Sequence, residues 1–280
     1  MAQPALRLDS NAPGDFYVDA TCIDCDACRI FAPSVFHDDG GLSAVYHQPE
    51  TAAELLAAQK ALVSCPTASI GASTSARDAL TALPELIADD VHRCGYTSES
   101  SFGAISYFLR DSQILIDSPR FAEPLVKQLG HVRRMLLTHQ DDIADHAKFH
   151  ARFACERVLH ADDARGRAFE TMPSGNDALD LGDDIVMIPT PGHTRGHAVF
   201  LYRNQYLFTG DHLAWSESRG HLYAFRSACW YSWTEQIRSM ERLLDYEFEW
   251  VLPGHGRPVH LPCQEMRASL ETCVEWMKAR

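Results

Sequence analysis

The 280-residue sequence has no long apolar run. No stretch approaches the roughly 18 uncharged apolar residues that a transmembrane helix requires. The N-terminal stretch MAQPALRLDSNAPGD also contains no apolar segment of the length found in secretory signal peptides. Internal repeats and low-complexity tracts are absent as well. We therefore expect a soluble, cytoplasmic protein without a membrane partner.

Positive charge is scarce in this chain. It has 25 lysine and arginine residues against 38 aspartate and glutamate residues, which gives a formal net charge of −13. Non-specific binding to nucleic acids depends on basic side chains that neutralise phosphates, so a nucleic-acid partner is disfavoured. The apolar content of 46% is ample for a core, and the length suits one large and one small domain.

Cysteine is present in an odd number, and its distribution is uneven. Of nine cysteines, four lie in the first 65 residues: Cys22, Cys25, Cys28 and Cys65. Thiols stay reduced in the cytosol, so this group favours metal ligands over disulfides. In iron–sulfur proteins, one loop with C-x2-C-x2-C spacing supplies three thiolates, and a distant cysteine supplies the fourth. Structural zinc is the alternative, although zinc sites usually pair cysteines two and two.

This stretch resembles a single-cluster bacterial-type ferredoxin domain over roughly residues 14–72. The two-cluster pattern would place a fourth closely spaced cysteine before a proline, where this chain has Ala32-Pro33. The resemblance therefore implies one [4Fe–4S] cluster, held by the four cysteines named above. Such a cluster would transfer electrons to or from a redox partner, or would serve regulation.

The pattern of secondary-structure signals predicts two domains. A helix is expected over 51–63, where Thr51 and Glu54 form a capping-box pattern. Strands then alternate with helices, and AISYFLR and QILIDSP read as a hairpin. We predict a small domain over residues 1–75, a small-residue linker over 76–94, and a larger domain over 95–280.

Four stretches of the larger domain carry histidine or aspartate directly after an apolar strand: THQDDIADH (138–146), TPGHTRGH (190–197), FTGDH (208–212) and LPGHG (252–256). Each of the last three contains glycine, which lets the backbone turn sharply at the strand end. Imidazole nitrogen and carboxylate oxygen together suit zinc, iron or manganese. Taken alone, the first stretch could equally be an acidic helix start.

In this order, the four stretches resemble the metallo-β-lactamase superfamily, in particular its glyoxalase II-like hydrolases, over roughly residues 95–257. That family has a T-H-x-H-x-D-H stretch, then G-H-T-x-G-H, then G-D and a late G-H. The resemblance implies an α+β protein in which a small ferredoxin-like domain precedes a four-layer αββα sandwich. Two divalent metal ions would lie at one edge of its two sheets.

The first stretch departs from the family pattern, because no ungapped alignment places a ligand at every position. A turn longer by two residues, H-x-D-x3-D-H, reconciles its two ends. The implied ligands are then His139, Asp141 and His193 for one ion, Asp145, His146 and His255 for the other, and Asp211 as the bridge. Asp142 is an alternative to Asp141. Asp145 or Asp211 would orient the attacking water and carry its proton.

Other polar and aromatic side chains near these turns are assigned to packing or hydrogen bonding. His197 is expected to form a supporting hydrogen bond or to pack, and His212 to be structural. The aromatic residues between Asp211 and the last helix, Trp230 among them, are expected to pack in the core or an interface rather than line a substrate pocket.

These features predict a binuclear metallohydrolase that uses a metal-activated hydroxide on a small ester, thioester or related carbonyl substrate. The alternative is a non-haem iron or di-iron oxidoreductase, of the O2- or NO-reducing or dioxygenase type, which receives electrons from the fused cluster. A carboxylate in place of an imidazole shifts the metal preference from zinc toward iron or manganese, which favours this alternative. A third hypothesis is an electron carrier with a degenerate metal site.

Overall fold

A computed structural model describes residues 2–280. It divides into two compact units, of which the first comprises the chain up to Arg133 together with Ala144–Ala154, and the second comprises Arg134–Ile143 together with Cys155–Arg280. Within the described residues, no helix is both long enough and apolar enough to cross a bilayer.

The first unit contains eight strands and five helices. The strands are β1 (Tyr17–Val18), β2 (Phe36–Asp38), β3 (Ser43–Val45), β4 (Ile70–Gly71), β5 (Glu85–Ala88), β6 (Val91–Arg93), β7 (Tyr107–Leu109) and β8 (Ile114–Ile116). The helices are α1 (Ala27–Phe31), α2 (Ala52–Ser64), α3 (Arg77–Thr81), α4 (Glu123–Leu129) and α5 (His146–Phe153).

Strands β5 to β8 form an antiparallel meander in which each strand pairs with the next. The predicted hairpin is confirmed as β7 and β8. The predicted capping box is also confirmed, since the Thr51 side chain accepts from the Glu54 N–H and the Glu54 side chain accepts from the Thr51 N–H at the start of α2. The stretch interpreted as a linker, residues 76–94, contains α3, β5 and β6.

The second unit contains ten strands and three helices. The strands are β9 (Arg134–Leu136), β10 (Glu156–Val158), β11 (Leu179–Asp180), β12 (Ile185–Pro189), β13 (Ala198–Tyr202), β14 (Tyr206–Gly210), β15 (Ala214–Ser216), β16 (His221–Tyr223), β17 (Trp250–Pro253) and β18 (Val259–His260). The helices are α6 (Ala161–Ala164), α7 (Trp233–Leu243) and α8 (Cys263–Lys278).

A six-stranded sheet with the order β11-β12-β13-β14-β17-β18 dominates the second unit. Both β12 and β14 are antiparallel to β13, and β14 is parallel to β17. Strands β12, β14 and β17 therefore run in one direction, and their carboxyl ends lie at the same edge. The loops that follow these strands carry three of the four predicted motifs.

The helices of the second unit pack on an apolar core that holds this sheet in place. Helix α8 buries Met266, Leu270, Val274 and Met277, whose spacing of three or four residues places them on one face. These side chains share one hydrophobic cluster with sheet residues and with Met240 of α7. This packing holds the sheet, and therefore the ends of its strands, in place.

Candidate metal centre and iron–sulfur site

Four side chains from four strand ends meet in the second unit: His139, His193, Asp211 and His255. His139 follows β9, and the other three follow β12, β14 and β17. The Oδ2 atom of Asp211 lies 3.8 Å from the Nε2 of His139, 3.7 Å from the Nε2 of His193 and 3.9 Å from the Nε2 of His255. The structure thus brings residues more than a hundred positions apart to one point.

These separations are too long for hydrogen bonds but suit a cation placed between the atoms. Metal–nitrogen and metal–oxygen bonds are about 2.0–2.2 Å long for zinc, so two ligands on either side of one ion stand close to 4 Å apart. Candidate ligand atoms of His139, Asp141 and His193 lie within 4.8 Å of one another, as do those of His139, Asp142 and Asp211.

Several buried polar atoms of these side chains lack hydrogen-bond partners among residues 2–280. They include the Nε2 of His139, both ring nitrogens of His193 and the Oδ1 of Asp211. Buried polar atoms without partners are rare, because each costs about 1–3 kcal/mol, and they call for a ligand such as an ion. The donor set and its unpaired atoms therefore fit a divalent cation.

Asp141 and Asp142 approach different nitrogens of the His139 ring. The Oδ2 of Asp141 lies 3.9 Å from the Nε2 of His139 and 3.7 Å from the Nε2 of His193. The Oδ2 of Asp142 lies 4.0 Å from the Nδ1 of His139. That Nδ1 also lies 3.0 Å from the hydroxyl of Thr138. The His193 ring lowers the pKa of the half-exposed Asp141.

Asp145 and His146 lie at the start of α5, in the first unit. Asp145 is the residue before the helix, and its carboxylate accepts a hydrogen bond from the Phe121 N–H at 2.7 Å. The same carboxylate forms an ion pair of 2.8 Å with Lys148. Two of the seven ligands predicted from the sequence are thus part of a helix start, the arrangement that the local pattern also allowed.

Two further histidines lie beside the centre, and both are fully buried. The His197 ring lies 5.1 Å from the His139 ring and 5.4 Å from the His212 ring, measured between centroids. The Nδ1 of His197 lies 2.9 Å from the Thr190 hydroxyl, which agrees with the supporting role expected for this residue. Burial lowers the pKa of His139 to about 4 and that of His212 to about 3, and it also lowers the pKa of His197. Neutral imidazole is the form that binds metals.

Asp163 connects two of the loops that carry candidate ligands, and nothing in the sequence indicates this role. Its buried carboxylate accepts hydrogen bonds from the Gln140 N–H at 3.0 Å, the Thr194 hydroxyl at 2.6 Å and the Gly196 N–H at 2.7 Å. Gln140 follows His139, and Thr194 follows His193. One side chain therefore fixes the backbone next to both histidines. In sequence it is one of two adjacent aspartates in a short helical segment, and nothing distinguishes it.

Glycines at the strand ends make room for the ligands. A Cβ atom on Gly254 would lie 2.8 Å from the Oδ2 of Asp142 and 3.2 Å from the Oδ1 of Asp211. Gly210 has a φ of +48°, and a Cβ there would lie 2.5 Å from the Thr138 hydroxyl oxygen. The G-D and G-H motifs thus need glycine because carboxylates and hydroxyls approach the backbone closely.

An exposed tryptophan stands beside His193. Trp230 is 68% exposed, and its ring centroid lies 6.2 Å from the ring centroid of His193. The backbone N–H of Trp230 donates to the His193 carbonyl at 2.9 Å, and the backbone N–H of Ser232 donates to the Gly192 carbonyl at 3.1 Å. Trp230 therefore does not pack in the core, because the adjacent backbone bonds hold it at the surface next to the centre, and its expected packing in an interface stays a prediction.

One cavity of the first unit is lined by Cys22, Cys25, Cys28 and Cys65. The Sγ of Cys22 accepts from the Asp24 N–H at 3.4 Å, and the Sγ of Cys65 accepts from the Ser69 N–H at 3.3 Å. Burial, with a smaller contribution from repulsion by the neighbouring thiolates, raises the pKa of Cys25 and of Cys28 to about 12. Four converging thiolates are stable only with a cationic partner, and backbone N–H groups directed at sulfur are typical of iron–sulfur sites. The residues present fit a [4Fe–4S] cluster.

Comparison with protein families agrees with this site. Residues 18–72 match the family described as the 4Fe-4S single cluster domain of Ferredoxin I. The matched range contains all four cysteines. The predicted ferredoxin-like region is therefore confirmed.

Among curated proteins, the hydroxyacylglutathione hydrolase of Haemophilus ducreyi is 29% identical to this chain over 107 residues. The match covers 36% of this chain and 46% of the relative, so the chain spans less than half of that protein's length.

Solved structures with a similar fold include metallo-β-lactamases. The alignment with VMB-1 covers 67% of this chain and 95% of the VMB-1 chain, with 15% identity and a TM-score of 0.52. A metallo-β-lactamase from Pontibacter korlensis covers 70% of this chain and 98% of its own, with 17% identity and a TM-score of 0.51. At such identities the likeness shows the fold. The chain combines a single-cluster ferredoxin region with a metallo-β-lactamase fold, as the sequence predicted.

Proposed function

We propose that the protein is a metal-dependent hydrolase of small ester, thioester or related carbonyl substrates, with a fused [4Fe–4S] domain. The observation that carries this proposal is the convergence of three imidazole Nε2 atoms on the Oδ2 of Asp211, at distances between 3.7 and 3.9 Å. The curated relative supports it, because the name of that protein denotes hydrolysis of an acyl conjugate of glutathione. In this proposal, residues 1–75 form the cluster domain and residues 95–280 form the hydrolase domain.

We assign the first cation to His139, Asp141, His193 and Asp211. A metal-bound histidine usually coordinates through one nitrogen and uses the other for a supporting hydrogen bond. His139 has its Nδ1 beside the Thr138 hydroxyl, so its Nε2 is the coordinating atom. Asp141 lies on the Nε2 side, which favours it over Asp142.

The second cation stays a prediction. The sequence assigned it to Asp145, His146 and His255, with Asp211 as the bridge. Of these residues, His255 has its Nε2 3.9 Å from Asp211, whereas Asp145 makes an ion pair with Lys148 at the start of α5.

When bound, a divalent cation provides water of lowered pKa at neutral pH and polarises the carbonyl oxygen of the substrate. Side chains of the protein position the water and accept its proton. The Oδ1 of Asp211 has no hydrogen-bond partner among the described residues, so it can hold the attacking water and accept its proton. Burial lowers the pKa of His139 to about 4, so this residue is neutral and orients the centre without competing for that proton.

The alternative is an iron-dependent oxidoreductase that receives electrons from the cluster and either reduces O2 or NO or acts as a dioxygenase. Asp141 favours it, because its carboxylate oxygen lies 3.7 Å from the Nε2 of His193, at a position where the hydrolases of this superfamily have an imidazole. Oxygen ligands shift a site toward iron or manganese. The fused cluster would be the electron donor, and the cytoplasm would supply its redox partner.

Metal analysis of protein purified without oxygen tests both functions. Zinc together with four irons per chain, and hydrolysis in a panel of esters, thioesters and acyl-glutathione conjugates, supports the hydrolase. Six irons per chain, with consumption of O2 or NO, supports the oxidoreductase and excludes hydrolysis as the main activity.

An Asp211→Asn variant provides the mechanistic test. It keeps the shape of the side chain but removes the charge and the proton acceptor, so turnover should fall by two orders of magnitude or more, on the order of the 10²–10⁴-fold typical of acid–base catalysis. Asp162→Asn is the control, because Asp162 lies in the same unit, its side chain is 43% exposed, and it pairs with the exposed Arg195. Equal turnover of the Asp211→Asn variant and the wild type would eliminate the hydrolytic mechanism.

A further inference from the structure

The C-terminal end of α2 leads directly into the cluster ligand Cys65. The last carbonyl groups of a helix have no partners within the helix and must find them elsewhere. Here the Val63 carbonyl accepts from the Arg120 Nη2 at 2.9 Å, and the Ser64 carbonyl accepts from the Thr97 N–H at 3.2 Å and from its hydroxyl at 2.7 Å. Thr97 and Arg120 lie outside the range 18–72 that matches the ferredoxin family.

A second cluster ligand is contacted by the same part of the chain. Gly103 has a φ of +84°, and a Cβ placed on it would lie 2.6 Å from the Cβ and 2.7 Å from the Sγ of Cys25. The same Cβ would lie 3.4 Å from Pro66, the residue after Cys65. The backbone of Gly103 is therefore in direct contact with a thiol that would bind iron.

The segment that carries Gly103 is held by its own hydrogen bonds. The Gly103 N–H donates to the Ser98 carbonyl at 2.8 Å, and the Ala104 N–H donates to the Ser101 carbonyl at 3.0 Å. These hydrogen bonds hold the backbone of the turn in place where it contacts Cys25. The contact with Cys25 and the hydrogen bonds to the Ser64 carbonyl, directly before Cys65, thus come from one short stretch, residues 97–103.

We propose that residues 97–103, together with Arg120, form the outer wall of the iron–sulfur site and position Cys25 and Cys65. The ligands come from the ferredoxin-like region, but the wall comes from the part of the chain that the sequence analysis assigned to the larger domain. Because groups beside a metal ligand fix its orientation, a change in the wall should alter how firmly the cluster is held and its electronic environment. This inference does not depend on the hydrolytic activity.

The first test compares two glycine variants in the full chain, with the cluster assembled without oxygen. Gly103→Ala places a methyl group against Cys25. Gly130→Ala is the matched control, because Gly130 also has a positive φ of +71° and lies in the same unit, but an added Cβ would meet nothing within 4 Å. We expect Gly103→Ala to lose its cluster to an iron chelator about 10–100-fold faster than the wild type and to show a changed EPR spectrum after reduction. Gly130→Ala should match the wild type in both measurements.

The second test covers the case in which Gly103→Ala does not fold. Thr97→Val removes only the hydroxyl that donates to the Ser64 carbonyl, and Thr97→Ser retains it. We expect the midpoint potential and the rate of cluster loss to change in Thr97→Val and to return to wild-type values in Thr97→Ser. The proposal is overturned if Thr97→Val equals Thr97→Ser in both measurements, or if Gly103→Ala and Gly130→Ala hold the cluster equally well.

Discussion

The carboxylate of Asp163 accepts the hydroxyl hydrogen of Thr194 at 2.6 Å, and Thr194 directly follows the candidate metal ligand His193. The same carboxylate binds the N–H of Gln140, next to His139. A residue outside the candidate ligand set thus connects the loops that carry two of the candidate ligands. Preorganisation of this kind sets metal affinity, because ligands that are already in place lose less conformational entropy on binding.

Removal of this carboxylate should weaken metal binding. We expect Asp163→Ala to raise the metal dissociation constant about 10–100-fold, in the range typical of groups that support metal ligands. Asp163→Asn retains one acceptor oxygen and should have an intermediate effect. Titration against a competing chelator measures both constants, and Asp162→Ala, at the exposed neighbouring position, is the control. Wild-type affinity in Asp163→Ala would show that the two loops hold their positions without it.

The space at Gly254 gives a second prediction. An added methyl group would lie 2.8 Å from the Oδ2 of Asp142 and 3.2 Å from the Oδ1 of Asp211, so Gly254→Ala must displace at least one carboxylate. We expect metal content and turnover to fall at least about tenfold, as for loss of a supporting group. Gly220→Ala is the control, since no atom lies within 4 Å of a Cβ built there. Retained metal and turnover in Gly254→Ala would exclude both aspartates as ligands in these positions.

The features that could be predicted from the sequence are those that depend on a few consecutive residues. The strand ends, the glycine turns and the order of their histidines could be read because each motif lies within a few residues, and periodicity fixes the strand before it. Asp163 could not be read, because its donors lie 23 and 31 to 33 residues away and only the folded chain brings them together. The role of Asp145 was equally hidden, since a helix start and a metal loop use the same residue types.

Trp230 provides a test of how the centre selects its substrate. Trp230 is largely exposed. Hydrogen bonds from the backbone N–H groups of Trp230 and Ser232 nevertheless connect this segment to the loop of His193. An aromatic surface held in place beside a reactive centre can contact an apolar acyl group. We expect Trp230→Ala to raise KM about tenfold for substrates with long acyl groups, as about 1–2 kcal/mol of lost apolar contact would cause. The value of kcat should change little.

The kinetic comparison needs two controls. Trp230→Phe retains an aromatic surface and should restore most of the affinity. Leu179→Ala removes an exposed apolar side chain from β11 and should leave KM unchanged. If KM in Trp230→Ala is the same as in the wild type for short and long acyl groups alike, the ring has no part in binding substrate.

Glu85 should make the stability of the first unit depend on pH. Its carboxylate accepts from the Lys60 Nζ at 2.8 Å and from the Arg93 Nε at 3.1 Å, which connects helix α2 to strands β5 and β6. Burial acts to raise the pKa of Glu85, but the charges of Arg93 and Lys60 outweigh it and hold the pKa below the usual value of 4.5. The unfolded chain therefore binds a proton at Glu85 more readily than the folded chain, and the contribution of these ion pairs to stability is complete above about pH 4.5. It is lost as the pH falls through the lowered pKa of the folded state.

A Glu85→Gln variant should isolate this dependence. The side chains are partly buried, so we expect the free energy of unfolding to fall by about 1–2 kcal/mol at pH 7, between the values typical of surface and buried ion pairs. Denaturant unfolding at a series of pH values should show this difference shrinking below about pH 4.5, because the wild-type carboxylate then becomes protonated and loses its charge. Glu99→Gln, at an exposed position of the same unit, should follow the wild type throughout. A difference between Glu85→Gln and the wild type that stays constant down to pH 3 would mean that shape and hydrogen bonding, rather than charge, connect α2 to the sheet.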